Sequence, residues 1–305
     1  MDSLLSQPQT TRMNPPEDLR ARLTVQGGVW QMLPDIAVKA LAMARDPNCS
    51  IKEFASVVER DPKLATEILR ITNSAFYGAR NPIMNLKQAV TRLGFAHCRN
   101  VILAASLGSA MRKLKLSEAW MQLLLWRHSV LTGMLAMSLN RRFNLGFIGE
   151  EFTAGLIHDV GRSLFAIIAP EDFAKADPLD FIEGPGVLQQ EHEILRTDHC
   201  ELGAWFIAQN KLPEALVEVV LMHHEPAKAT EHRKLVATIA VADHMANYLQ
   251  SNGSADEYDA QENPAIEVLF EASPGNVLAC CTEARLLMSE TMCEANSANG
   301  PFSMS

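Results

Sequence analysis

Apolar residues in this chain recur every three to four positions, the period of helices with one buried face. Ser50 and Glu53 form a capping-box pattern, followed by Phe54, Val57 and Val58 on one face. Asp61–Pro62 places a cap before a first-turn proline, and Leu64, Ile68, Leu69 and Ile71 continue as a buried stripe. Asn85 opens a short helix through Leu86, Val90 and Leu93, which Gly94 stops, and an apolar helix over 96–113 follows. Ser117 and Glu118 start a long helix through Trp120, Leu124, His128, Leu131 and Leu135, punctuated by Gly146 and Gly149. Further helices are predicted over 150–158, after the Asp198 cap, from Pro213 to His223–His224, over 231–250, and over 264–294 with a break at Ser273-Pro274-Gly275. Strand signals hardly compete, so the fold class is all-α.

The pattern divides the chain. Residues 1–28, rich in Gln, Thr, Ser and Pro and ending at Gly27–Gly28, read as a flexible arm. Residues 29–115 form a helical lobe and 116–250 a helical bundle, with 177–186 as a loop. Residues 251–305 read as a polar linker over 251–263 and a helical extension. Asn73–Ser74 has two readings: the end of a helix, or an amide that braces the lobes or a partner surface.

Composition narrows the function. A net charge of −9 argues against a binder of phosphate backbones, and Arg141–Arg142 reads as a solvated helix end. The six cysteines include no C-x-x-C pair and no disulfide-framework spacing, as expected of reduced thiols. The N-terminus lacks a basic segment followed by an apolar one, and runs such as Val101–Ala105 are far shorter than the ~20 residues that span a bilayer. A cytoplasmic protein with no membrane contact is expected.

The candidate chemistry lies in His128, His158–Asp159, His199, His223–His224 and Asp243. Imidazole nitrogens and carboxylate oxygens are the ligand set of a hydrolytic divalent-metal site. Adjacent residues in a helix point about 100° apart, but at a helix end, where the backbone turns, His158 and Asp159 can reach one cation, and Asp159 could bridge two. Any one of these residues alone reads as surface or core. The set together reads as a metal site. Cys200 reads as helix packing, Glu201 as the partner of the Asp198 cap, and His97, His192, His232 and His244 as structural or surface positions.

Gly155-Leu156-Ile157-His158-Asp159-Val160-Gly161-Arg162 resembles the core motif of the HD superfamily of metal-dependent phosphohydrolases. Asp61-Pro62-Lys63-Leu64, Leu69 through Ala75, Ala89 through Gly94, Trp126-Arg127-His128-Ser129, Asp198 through Ala204, Leu212-Pro213 and His223-His224 resemble the HDOD family. The resemblance covers about residues 30–250. It implies a helical N-terminal lobe packed on an HD-type helical bundle, a regulatory role in bacterial signal transduction, and other signalling proteins as partners. By resemblance to catalytic HD-GYP relatives, His128, His158, Asp159 and Asp243 look like core ligands of a divalent metal (Mn, Fe or Mg). His199, His223 and His224 look like recruiters of a further metal.

Two departures matter. Arg162 stands where the motif often carries a phosphate-binding lysine, keeping charge but changing reach. Pro226-Ala227-Lys228-Ala229-Thr230 follows His223-His224-Glu225, with no G-x-G-Y-P segment, so cyclic-di-GMP hydrolysis of the HD-GYP kind is not expected. The alternative to a regulator is a phosphohydrolase acting on a nucleotide or other phosphoester, with Arg162 as phosphate clamp. Nucleic-acid binding is disfavoured by charge, and the pattern specifies no oligomeric state.

Overall fold

Local caps set where the first helices begin. The computed structural model describes residues 13–295 except 27–32, 45, 47, 74–81, 115, 117, 183–185 and 272. The Gly27–Gly28 break, Ser74, Ala75, Ser117 and the arm before residue 13 therefore lie outside the described residues. α1 (Glu17–Gln26) comes first, and the first lobe contains α2 (Asp35–Met43), α3 (Ile51–Val58), α4 (Pro62–Thr72) and α5 (Leu86–Arg112). The Ser50–Glu53 capping box closes in both directions at α3, Asp61 accepts from the Lys63 and Leu64 amides at α4, and Asn85 accepts from Gln88 at α5. Gly94, at φ 77°, breaks α5 into the two helical pieces the sequence predicts. Phe54, Ile68, Ile71, Val90 and Ile102 bury their apolar faces together in this lobe. Asn73 ends α4, and its side-chain amide exchanges hydrogen bonds with the Ile83 backbone (2.8 and 2.7 Å). It thus fastens the segment leading into α5.

The second unit follows with α6 (Ala119–Phe143), α7 (Glu150–Ile157), α8 (Val160–Ile168), α9 (Pro170–Ala176), α10 (Val187–Leu195), α11 (His199–Gln209), α12 (Glu214–Met222), α13 (Arg233–Asn252), α14 (Ala265–Leu269) and α15 (Pro274–Ala295). α6 is the axis, packed by α7, α13 and α15. Glycines let the helices touch backbone to backbone. A Cβ on Gly155 of α7 would fall 2.5 Å from the Cα of Gly133 in α6, and one on Gly161 of α8 would fall 1.9 Å from the carbonyl oxygen of His199 in α11. The described residues form helices and loops without a strand, and none of these helices is long and apolar enough to cross a membrane.

Three expectations change. Within the supposed arm, α1 docks on α8: Leu19 and Leu23 are buried, Arg22 donates to the Ile168 carbonyl (3.1 Å), and Asp18 pairs with Arg196 (2.7 Å). Two leucines four apart are too sparse to show as periodicity, and tertiary contact supplies the rest. The supposed linker at 251–263 is packed. Tyr258 is buried and its hydroxyl joins the His244 and Asn263 side chains, while Arg285 donates to its carbonyl. Arg141 and Arg142 pair with Glu294 and Glu283 of α15 instead of being merely solvated.

Candidate metal centre

Five helices deliver the seven predicted side chains to one place. His128 lies midway along α6 and Asp243 midway along α13. His158 caps the end of α7, and Asp159 occupies the turn before α8. The Asp198 carboxylate accepts from the Glu201 amide and starts α11 at His199, while α12 ends at His223, followed by His224. All but His224 are buried, and His224 is half-buried.

Their donor atoms form two groups that meet at Asp159. In the first, the Nε2 atoms of His128 and His158 are 3.2 Å apart, and Asp243 Oδ1 lies 2.9 and 3.3 Å from them. Asp159 Oδ2 is 3.5 Å from both imidazoles. In the second, His199 Nε2 is 3.4 Å from His223 Nε2 and 3.1 Å from His224 Nε2. Asp159 Oδ1 lies 3.3 Å from His199 Nε2 and 3.5 Å from His223 Nε2. One carboxylate thus presents one oxygen to each group.

These residues fit divalent cations. Two nitrogens bound to one ion at about 2.0–2.1 Å stand roughly 2.9–3.4 Å apart, which matches the imidazole separations. Both Asp159 oxygens are buried and receive no hydrogen bond; Arg162 offers Oδ2 an ion pair at 3.3 Å, while Oδ1 faces imidazoles, a costly state that a divalent cation would relieve. The far nitrogens are also fixed. Nδ1 of His128 faces Gln250 Oε1 (2.7 Å), that of His158 the Gly155 carbonyl (2.8 Å), that of His199 the Glu191 carboxylate (2.8 Å), and that of His223 the Val220 carbonyl (3.0 Å). An acceptor at Nδ1 places the proton there and leaves the Nε2 lone pair aimed at the centre.

Electrostatics separate the histidines. Burial pulls the His158 imidazole down, but Asp159 and Asp243 outweigh it and lift it to about 9. His199 goes against burial in the same direction, well above the usual range, through Cys200 and Glu191. Burial and neighbouring imidazoles lower His223 and His224 instead. Burial would raise both carboxylates. Arg162 and His158 hold Asp159 below its ordinary range, and His128 and His158 do so for Asp243.

The surroundings combine residues the sequence reading singled out, Arg162 first among them, with Asp177, Phe181, Gln250 and Glu191, which it did not. Arg162 is buried, with Nη1 3.3 Å from Asp159 Oδ2 and Nε 3.4 Å from Asp177 Oδ2. The loop after α9 brings the Phe181 ring onto His128 (centroids 4.8 Å, planes 27° apart), with Leu179 and Phe181 in the left-handed backbone region (φ 54° and 57°). Gln250 lies seven residues after Asp243 on α13, two turns along the same face. Glu191 sits on α10, whose polar sequence gave no stripe. Cys200 is buried with its sulfur 3.5 Å from His199 Nε2, and burial pushes its thiol up to about 12. Glu201 accepts from the Thr197 hydroxyl (2.8 Å) instead of closing a reciprocal box with Asp198. His192 pairs with Asp198 (2.9 Å) and His244 with Tyr258, both outside the cluster.

The HDOD domain family model matches residues 31–226. Among solved structures, an HDOD domain protein of unknown function from Geobacter sulfurreducens aligns with a TM-score of 0.67 and 22% identity, over 93% of this chain and 98% of that one. A protein from Shewanella amazonensis SB2B, provisionally named a phosphohydrolase, aligns with a TM-score of 0.64 and 21% identity, over 92% and 98% of the two chains. An uncharacterized protein of Treponema pallidum (strain Nichols) is 24% identical over 226 residues, which are 71% of this chain and 42% of that protein. The chain therefore spans less than half the length of this curated relative.

Proposed function

This chain belongs to the HDOD domain family, and we propose that it is a signal-transduction protein whose bundle holds two divalent cations as a fixed centre and acts through contacts with other signalling proteins. His128, His158, Asp243 and Asp159 would hold the first cation, and His199, His223 and His224, with Asp159 shared, the second. Five imidazoles with two carboxylates favour iron or manganese over magnesium, which prefers all-oxygen shells. The observation that carries the regulatory reading is closure of the centre by its own chain: Phe181 lies on His128, and Arg162 is engaged by Asp159 and Asp177. An arginine so committed positions Asp159.

A second reading, a metal-dependent phosphohydrolase, is favoured by half-buried His224 and by the guanidinium beside the bridging carboxylate. Bound cations would supply a lowered water pKa and neutralise charge on phosphoryl oxygens. Arg162 would then clamp the phosphate.

Elemental analysis of protein expressed with manganese and iron, paired with turnover of bis(p-nitrophenyl) phosphate and nucleotides, tests both. The regulatory reading expects two cations per chain, lost in Asp159→Ala, and no turnover above that variant. Turnover that Asp159→Ala abolishes would replace it with the second reading. Protein without metal would end both.

A further inference from the structure

We propose that the cavity between the two lobes binds a small organic anion, one that joins a flat or apolar body to a phosphate or carboxylate. The cavity measures about 820 Å3, within the span of small-ligand sites. It is separate from the candidate metal centre. On one side stand Val38 and Leu41 of α2 with Arg99 and Leu103 of α5, and on the other the first turns of α7, α12 and α13. Val38 is 49% exposed, an apolar side chain facing the opening instead of the core.

Three features set the sign of the ligand's charge. The Arg99 guanidinium, half-buried, and the Lys211 ammonium form no hydrogen bond or ion pair with any described residue. A guanidinium partly withdrawn from water without a partner is unfavourable, and an anion relieves it. Next, α12 begins at this cavity behind Pro213 without a side-chain cap, whereas carboxylates already serve the other two starts, Glu150 and Glu151 at α7 and Glu218 at α13. The α12 dipole end favours negative charge. Last, two acids line the cavity, Glu150 and Glu231, and Glu150 is already occupied, accepting from the Asn100 side chain (3.0 Å) and the Ile148 amide (2.9 Å), so Arg99, Lys211 and Lys234 leave the lining net positive. Phe147, under the Lys234 ammonium at 5.8 Å, offers a flat face to the ligand's body.

The position gives binding a consequence. The same three helices that open at the cavity carry His158, His223 and Asp243, each roughly 12–15 Å from its helix start at 1.5 Å per residue. A ligand that draws α2 and α5 toward those first turns acts on rigid rods ending in the donor cluster. This coupling rests on the metal reading; the binding site does not.

The test titrates the 305-residue chain with 8-anilinonaphthalene-1-sulfonate, a flat apolar anion, followed by fluorescence. Saturable binding at one site per chain is expected. Arg99→Gln and Lys211→Gln should each weaken it about tenfold, the loss of one charge-assisted hydrogen bond. Ala215→Trp, which fills the cavity, should abolish binding, and Lys175→Gln on distant α9 should leave it unchanged. If Arg99→Gln does not fold, Lys211→Gln decides, since that side chain is exposed. Competition by adenosine monophosphate identifies the anion source as a nucleotide, and competition by laurate identifies it as a fatty acid. Binding should persist in Asp159→Ala, so the two readings fail separately. Absence of binding, or binding indifferent to Lys211→Gln and Ala215→Trp, overturns the proposal.

Discussion

Replacing Gly161 by alanine probes how the two donor groups are held in register. The added Cβ would stand 1.9 Å from the carbonyl oxygen of His199, 2.6 Å from its carbonyl carbon and 2.8 Å from its Cα. These are backbone atoms, so no side chain can swing aside. Restoring an ordinary carbon–oxygen contact of about 3.3 Å requires α8 and α11 to separate by roughly 1.4 Å. On the same interface, a Cβ at Gly203 would meet the Gly161 amide nitrogen at 3.1 Å and Val220 Cγ1 at 2.9 Å, so the helices are seated from both sides. Metal–ligand distances tolerate about 0.2 Å, and His199 is the residue displaced. Gly161→Ala should therefore lose the cation of the His199–His223–His224 group and keep at most the other. Overpacking of this kind costs about 3 kcal/mol. Urea unfolding with chelator present measures that cost, and elemental analysis measures occupancy. Gly275→Ala, with open space around it, is the control and should be neutral or slightly stabilising. A Gly161→Ala protein that keeps two cations and loses less than about 1 kcal/mol would refute this account of the helix contact.

Protons compete with cations for the site. In chelated protein His158, lifted to about 9, holds a proton that its unfolded counterpart releases near 6.5. That stabilisation is complete below the unfolded value and lost as pH rises through the folded one. Metal-free stability should thus fall between about pH 6.5 and 9 while cation affinity rises, and calorimetry in buffers of different ionisation enthalpy should register proton release; flat affinity across that window would contradict it. Gln250→Ala and Glu191→Gln should each weaken cation binding about 10–100-fold, measured by chelator competition, because each frees one ring to turn. Asn73→Ala should lower stability by about 2 kcal/mol without changing metal content, since the Ile83 amide and carbonyl both lose their partner.

What the sequence made legible was whatever is local. Ser50–Glu53, Asp61–Pro62, Asn85 and Gly94 act within one turn of themselves, and each behaves as its residue type dictates. The seven donors were readable because their residue types are unusual together and because the family motif surrounds them. What stayed hidden depends on neighbours distant in the chain. α1 is a helix because α8 supplies a surface for Leu19 and Leu23. Tyr258 is buried because α13 and α15 meet over it. Phe181 gave no signal, since a phenylalanine in a loop with two prolines carries no period. Its role follows from a left-handed backbone no sequence rule assigns to it.

That loop also bears on how the centre would be filled. With Phe181 stacked on His128 and Asp177 holding Arg162, a cation held by His128 would leave on this side once residues 177–182 peel back, whereas the group with half-buried His224 is more open. The escape rate of the first cation would then belong to the loop, and a chelator would strip it no faster at high concentration than at low. It would be acquired while the chain folds, before Phe181 closes over it. The ion found there would record the metal pool at the time of synthesis, whatever the pool became afterwards.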